Sequence, residues 1–166
     1  MNTGYKILAV IIIGIVSCKG ELKVQPVTSD KFEMDKLKLT DLNGKSIDLQ
    51  PYHGKTVFIN FWATWCKPCL QEMPSIQKLQ GILKNENIVF LFASDESAGQ
   101  IVDFKSQYSY NFNYVSVQNL TELNIMALPT TFIFNPEGKL VFNESGSRQW
   151  DDKNNIDLIL NIIKSK

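Results

Sequence analysis

The sequence predicts an α/β fold in which one mixed β-sheet carries helices on both faces. Apolar runs rich in β-branched and aromatic residues alternate with segments whose apolar residues recur at helical spacing. A strand, a helix and a second strand come first, and a hairpin and a helix close the chain, which together favour a mixed sheet. With 166 residues, 44% of them hydrophobic, the chain is long enough to bury such a core.

The folded part begins with a predicted hairpin and a central strand. The two arms of the hairpin are residues 37–40 and 46–49, because Asn43-Gly44 between them favours a tight turn. Residues 56–61 form a continuous apolar run, typical of a strand that is buried on both faces.

A long helix is predicted directly after this strand, from about Cys66 to Leu83. Pro68 suits its first turn, whereas Pro74 lies in its interior and should kink it. The later elements continue the alternation, with strands predicted at 88–93, 114–117, 130–134 and 140–143 and helices at 101–108, 120–126 and 156–163.

The N-terminus is typical of an export signal. Lys6 precedes the apolar run 7–16, which is too short to cross a bilayer but suits the core of a signal peptide. Ser17-Cys18 after it resembles the lipobox of bacterial lipoproteins, in which the cysteine becomes the lipidated first residue. A plainly cleaved signal and an uncleaved anchor are the alternatives. Residues 1–17 are therefore predicted to be a signal peptide that leads to the cell envelope or periplasm, where disulfides persist.

Residues 18–35 are predicted to be a lipid-anchored, flexible tether, and residues 36–166 the folded domain. The tether segment is polar and has no sustained helical or strand period. As a flexible coil it would reach ~20–25 Å from a membrane. The chain has 17 basic and 17 acidic residues, so it offers no bulk positive charge for nucleic acid.

The most specific motif is Cys66-Lys67-Pro68-Cys69, placed between the predicted central strand and the long helix. At a helix N-terminus, unpaired backbone N–H groups and the helix dipole favour a thiolate, and Cys69 one turn later can form a disulfide with Cys66. A purely structural disulfide would close a loop too short to stabilise the fold much. A zinc site would need further ligands, for which only Cys18 and His53 remain, so no metal is predicted.

Four segments carry a resemblance to a known family: residues 60–69, residues 72–74, residues 128–131, and the additional helix and strand that precede the last of these. Together they resemble the thioredoxin fold, and within it the TlpA-like and ResA-like extracytoplasmic thiol-disulfide oxidoreductases. The resemblance covers nearly the whole predicted domain.

This resemblance implies a redox dithiol. Cys66 is the expected attacking thiolate, with a pKa lowered by the helix dipole and Lys67, and Cys69 the resolving thiol. Glu72 could accept the proton of Cys69, since the family carries a functional glutamate there; a solvated surface carboxylate is the alternative. Many thioredoxins bury an aspartate at the position of Asn60, and a neutral amide leaves proton transfer to Glu72 or water.

The resemblance also predicts a substrate-contacting surface. Pro129 matches the family's cis-proline, which would let a bound peptide pair with the backbone of Leu128; an ordinary trans proline is the alternative. Trp62 is expected in the core. The residues predicted to contact substrate are Trp65, Lys67, Pro68, Leu128 and Pro129.

Three functions fit the sequence. The first is a monomeric, cofactor-free disulfide reductase, which takes electrons from a membrane thiol-disulfide carrier and passes them to periplasmic proteins such as apocytochrome c. The second is a thiol peroxidase, which would place a threonine and an arginine on the reactive cysteine, whereas Thr64 and Arg148 are poorly placed. The third is a lipid-anchored binding module, which leaves the presence of the cysteines, Glu72 and Pro129 unexplained. The direction of electron flow stays open.

Overall fold

A computed structural model describes residues 33–165. Six strands form one sheet in the order β1-β4-β3-β2-β5-β6. Strands β2, β3 and β4 run parallel, and the other pairings are antiparallel. The strands are β1 (Leu39–Thr40), β2 (Thr56–Phe61), β3 (Ile88–Ser94), β4 (Tyr114–Val117), β5 (Thr130–Phe134) and β6 (Leu140–Ser145). The predicted α/β class with a mixed sheet is confirmed.

Three α-helices cover one face of the sheet: α1 (Lys67–Ile82), α2 (Ala98–Gln107) and α3 (Lys153–Lys164). Connections between parallel strands are right-handed, and both crossovers, β2 to β3 and β3 to β4, step toward the same edge. Helices α1 and α2 therefore share a face. Their buried side chains join those of α3 and the sheet in one core, which includes Phe58, Met73, Ile76, Phe92, Ile101, Phe104, Ile133 and Ile159.

Short 3-10 helices and irregular segments cover the opposite face. They are Met34–Lys36, Gln50–Tyr52 and Leu120–Leu123, and they close a second core around the alternate residues of the same strands. Because side chains alternate across a strand, Phe58 of β2 enters the first core while Val57 and Ile59 enter the second. Helices thus lie on both faces, with the α-helices confined to one.

The N-terminal hairpin is shorter than predicted. Its second arm, residues 46–49, keeps one bridge between Thr40 and Ser46 and one hydrogen bond from Ile47 N to Leu39 O of 2.9 Å. Beyond that point Asp48 accepts a hydrogen bond from Gln50 N of 3.0 Å and starts a 3-10 helix, which turns the backbone out of the ladder.

Local capping shifts two helices away from their predicted ends. Helix α2 begins three residues early, because Ser97 and Gln100 form a capping box. The helix predicted at 120–126 is a 3-10 helix that stops at Leu123, since Asn124 adopts a left-handed φ of 54°. Helix α1 continues through Pro74.

The chain enters the folded domain at the turn between β5 and β6. Glu33 bridges Lys139, and Met34 is buried and donates its N–H to Gly138 O at 2.8 Å. Residues 33–35, assigned to the tether from sequence, therefore pack on the domain. The predicted signal peptide and Cys18 lie outside the described residues. Among residues 33–165, no helix has both the length and the apolar character needed to span a bilayer.

Candidate active site

The two cysteines of the CxxC motif lie where β2 ends and α1 begins. Cys66 is the N-cap residue of α1, and its Sγ accepts a hydrogen bond from Cys69 N at 3.3 Å. A disulfide joins the two residues, whose Cα atoms are 5.3 Å apart. Cys66 is 3% exposed and Cys69 fully buried, so Cys66 is the outer sulfur of the pair. The helix N-terminus thus stabilises negative charge on the accessible sulfur.

The loop that leads into Cys66 is held by Glu96, which sequence reasoning missed. Glu96 accepts hydrogen bonds from Thr64 N at 2.6 Å and Thr64 Oγ1 at 2.7 Å, and a third from Ser94 Oγ at 3.2 Å. It follows β3, which pairs in parallel with β2 through Phe61 and Ala93. The carboxyl ends of neighbouring parallel strands meet at one edge of a sheet, and this was the signal that could have placed Glu96 beside the motif.

The tryptophans around the motif occupy opposite environments. Trp65 is 73% exposed directly beside the disulfide. Trp62 is buried, with its ring centroid 4.7 Å from that of Phe104 and 5.5 Å from that of Tyr114. The prediction of Trp62 as a core residue is confirmed, and Trp65 is available for contact with a substrate.

Glu72 is buried and accepts hydrogen bonds from three N–H donors. Its side chain is 2% exposed. Asn60 Nδ2 donates to Oε1 at 2.8 Å, whereas Arg148 N and Trp150 Nε1 donate to Oε2 at 3.0 and 3.1 Å. The alternative of a solvated surface carboxylate is therefore wrong.

Burial and hydrogen bonding act on Glu72 in opposite directions. Removal from water disfavours the carboxylate and raises its pKa, while the three N–H donors favour the carboxylate and oppose that rise. Burial is the larger effect, so the pKa lies above the ordinary value of 4.5. Glu72 follows Cys69 by three residues on α1, where i and i+3 side chains are neighbours. The raised pKa brings this carboxyl group closer to the pKa of a thiol, which favours proton exchange between the two.

Asn60 connects Glu72 to the segment that carries Pro129. Its Nδ2 also donates to Thr131 Oγ1 at 3.1 Å, and Thr131 lies two residues after Pro129 on the strand paired with β2. The Leu128–Pro129 peptide bond is cis, as predicted. Pro129 itself is buried, and Leu128 is half-buried against both cores.

The remaining predicted contact residues lie at the surface. Lys67 and Pro68 are exposed on the first turn of α1. Met126, which sequence reasoning did not single out, precedes the cis bond by two residues and is 92% exposed. The structure therefore places exposed apolar side chains on both segments that flank the dithiol, the CxxC loop and the 126–129 loop.

Comparison with known proteins agrees with this geometry. The model of the AhpC/TSA family matches residues 31–143. The chain belongs to the AhpC/TSA family. Thiol-disulfide oxidoreductase ResA of Bacillus subtilis is 32% identical over 145 residues, which are 85% of this chain and 81% of that protein. ResA of Geobacillus kaustophilus is 38% identical over 106 residues, 61% of each chain.

Solved structures of similar fold carry related names. A thiol:disulfide interchange protein from Bacteroides superposes with a TM-score of 0.64 at 25% identity, over 75% of this chain and 86% of that one. An exposed lipoprotein thioredoxin from Streptococcus pneumoniae superposes with a TM-score of 0.59 at 25% identity, over 76% of this chain and 96% of that one. This member of the AhpC/TSA family is thus a thiol-disulfide oxidoreductase of the thioredoxin fold.

Within this AhpC/TSA domain, the residues that a peroxidase would place on its reactive cysteine are engaged elsewhere. The Thr64 hydroxyl donates to Glu96, as described above. The Arg148 guanidinium pairs with Glu144 at 3.2 Å and lies 5.5 Å from the ring centroid of Phe142.

Among residues 33–165, no group of three or more His, Cys, Asp or Glu side chains is arranged to hold a metal ion.

Proposed function

We propose that the protein reduces disulfides of exported proteins through the Cys66–Cys69 couple. The observation that carries this direction is the buried Glu72, one helical turn from Cys69. A carboxylate in an apolar core disfavours negative charge on neighbouring sulfurs, and so disfavours the reduced, thiolate-bearing form. A protein whose reduced form is destabilised in this way is the stronger electron donor.

The exchange takes place in two steps. The Cys66 thiolate attacks one sulfur of the substrate disulfide, and the other substrate sulfur departs with the bonding electrons and takes up a proton. Cys69 then gives its proton to Glu72 and attacks Cys66 Sγ of the mixed disulfide. The second substrate sulfur leaves with the electrons of its broken bond to Cys66 and takes up a proton from Glu72 or water. The Cys66–Cys69 disulfide forms, and two electrons have passed to the substrate.

The surface around the dithiol suits an extended polypeptide. Trp65, Lys67 and Pro68 form one side of the contact, and the backbone of Leu128-Pro129 forms the other. A substrate strand that pairs with this backbone would bring its sulfur to Cys66 through main-chain hydrogen bonds, which need no particular substrate sequence.

The site of action in this proposal is the cell envelope. The support is the signal-like leader, which ends at Cys18, and the exposed lipoprotein thioredoxin among the structural neighbours. Cys18 carries the lipid, a membrane thiol-disulfide carrier returns electrons to Cys66–Cys69, and periplasmic proteins, apocytochrome c among them, receive them. The domain acts as a monomer and needs no cofactor.

The midpoint potential of the Cys66–Cys69 couple tests the direction. We expect a value of about −270 mV or lower, as for reducing members of the fold, in equilibrium with a glutathione or dithiothreitol buffer. A value of about −120 mV, as for strong oxidants, would reverse the proposed direction. Turnover of hydrogen peroxide by the reduced protein would favour the peroxidase instead.

A further inference from the structure

The segment between β6 and α3 supplies two of the three N–H donors to Glu72. These are the Arg148 backbone N–H and the Trp150 indole N–H, and Trp150 lies 78 residues away from Glu72 along the chain. No motif in the sequence marked this segment. Its position next to the buried carboxyl of the dithiol site makes it part of that site.

The same segment is fixed at both of its ends. Gly146 N donates to Pro129 O at 2.8 Å, which ties the start of the segment to the cis-proline. Trp150 N donates to Ser75 Oγ at 3.0 Å, and Ser75 Oγ donates to Glu72 O at 2.7 Å. Ser75 is buried and belongs to α1, so the segment is attached to the helix that carries Glu72.

The direction of the Trp150 indole N–H is set by packing. The ring is fully buried, with its centroid 4.8 Å from that of Phe58 and 6.0 Å from that of Phe142. The Arg148 guanidinium carbon lies 5.6 Å from the same ring. In contrast, the buried indole N–H of Trp62 has no hydrogen-bond partner within the described chain. Of these two buried indoles, Trp150 therefore donates a hydrogen bond to Glu72 and Trp62 does not.

Two ion pairs lie on the elements around Glu72. Arg148 pairs with Glu144 of β6, and Lys78 of α1 pairs with Asp151 at 3.1 Å. Strands β2 and β5 contribute the neutral Asn60 and Thr131. On its own helix, the titratable groups that most closely precede Glu72 are Cys69, three residues before it, and the exposed Lys67, five residues before it. The hydrogen bonds that oppose the effect of burial on the Glu72 pKa all come from neutral N–H donors.

We propose that Trp150 is a positioning residue, which holds Glu72 ready to take the proton of Cys69 and so sets the pH at which Cys69 resolves the mixed disulfide. The inference rests on the proposed function, in which Glu72 is the proton acceptor. In the resolving step the Cys69 proton passes to Glu72, the Cys69–Cys66 bond forms, and the substrate sulfur leaves with the electrons of the broken bond. Loss of the indole donor removes a hydrogen bond to the charged form of Glu72. The carboxylate that accepts the proton then forms only at higher pH.

The test follows the reduced full-length protein as it reacts with dithiobis(nitrobenzoate). Attack by Cys66 releases one thionitrobenzoate, and resolution by Cys69 releases the second, so the second phase isolates the step that involves Glu72. In Trp150→Phe we expect the pH midpoint of this second phase to rise by about one unit, the size expected for one lost hydrogen bond to a charged group. The first phase keeps its wild-type pH dependence.

Trp62→Phe is the matched control, because it removes the same atoms from a buried indole that has no acceptor. Its second-phase midpoint should equal that of wild type. Site-specific incorporation of benzothienylalanine at position 150 replaces the indole N–H with sulfur in a ring of nearly the same shape, and should give the same rise as Trp150→Phe. This analogue keeps the test valid where the phenylalanine variant folds poorly.

Three outcomes would overturn the proposal. A wild-type midpoint in the benzothienylalanine protein would show that the indole N–H does not act on the step. A rise that persists when Trp150→Phe is combined with Glu72→Gln would show that it acts through another group. If Glu72→Gln alone leaves the second phase unchanged, Glu72 is not the proton acceptor, and that part of the proposed function fails together with this inference, whatever the midpoint potential.

Discussion

Glu72 and Glu96 both reach the CxxC segment, with different partners and different consequences. Glu72 is buried behind the cysteines and takes its hydrogen bonds from N–H groups of two separate segments, β2 and the segment between β6 and α3. Glu96 takes two hydrogen bonds from Thr64, one from its backbone and one from its side chain. Glu72 is the residue proposed above to accept the proton of Cys69, whereas Glu96 fixes the loop that precedes Cys66.

Thr64→Val removes the hydroxyl donor to Glu96 and keeps the shape of the side chain. We expect the free energy of unfolding of the oxidised protein to fall by about 1–2 kcal/mol, because Glu96 Oε1 loses its shortest hydrogen bond. Urea unfolding followed by circular dichroism measures this. Thr121→Val, at an exposed position, is the control, and an equal loss in both variants would contradict the assignment.

Sequence patterns identified the residues whose function is local to one segment. Cys66, Cys69 and Glu72 lie within one helix and its N-terminus, so spacing alone relates them. Glu96 and Trp150 act through contacts 32 and 78 residues away along the chain. Such contacts depend on which strands pair and on where a loop packs, and neither is encoded in local spacing.

The N-terminus of α1 is the element on which the reactivity of Cys66 depends. Cys66 caps the helix and Lys67 is its first residue, exposed to solvent. The helix dipole and the lysine both favour the thiolate. Because Lys67 is exposed, its contribution should be modest and sensitive to salt.

Lys67→Glu changes the charge near the helix terminus by two units and should slow the reaction of reduced Cys66 with iodoacetamide at neutral pH about three- to tenfold at low ionic strength, since each exposed charge there contributes about 0.3–0.7 kcal/mol. The difference should shrink as salt is added. Lys84→Glu makes the same charge change beyond the other end of α1, about 24 Å along a helix of this length, and should leave the rate unchanged. Equal rates for Lys67→Glu and wild type would exclude this contribution.

Element types followed from the sequence more reliably than element ends. Continuous apolar strands such as β2 and β3 were predicted within one residue of their observed bounds, because a strand buried on both faces has a plain signature. The second arm of the N-terminal hairpin was over-predicted. Its residues 46–49 alternate as a strand does, yet the hydrogen bond that the Asp48 side chain accepts from Gln50 N and the 3-10 helix beyond it compete with the ladder.

The free energy of unfolding of the whole domain should depend on the protonation of the buried Glu72 carboxyl group. The folded state binds this proton more tightly than the unfolded state, because burial raises the pKa of Glu72 above 4.5. The free energy of unfolding therefore loses this contribution as pH rises from 4.5 through the raised pKa. Replacement by glutamine removes that loss.

Relative to wild type, Glu72→Gln should thus gain stability progressively with rising pH, measured by urea unfolding of the oxidised protein between pH 4 and about pH 9. Glu86→Gln, at an exposed position after α1, should track wild type across the same range. A stability difference between Glu72→Gln and wild type that does not change with pH would show that Glu72 keeps its ordinary titration in the fold.

The chain joins the domain at the end of the sheet opposite the redox site. Met34 is attached to Gly138 in the turn after β5, while Thr130, at the other end of β5, pairs with Phe61 just before the CxxC loop. These two ends of β5 are about 17 Å apart, the length of the strand. A lipid on Cys18 would therefore attach to the domain through the end away from the sulfur pair. A flexible tether at that end would leave the sulfur pair free to reach either a soluble substrate or an electron donor in the membrane.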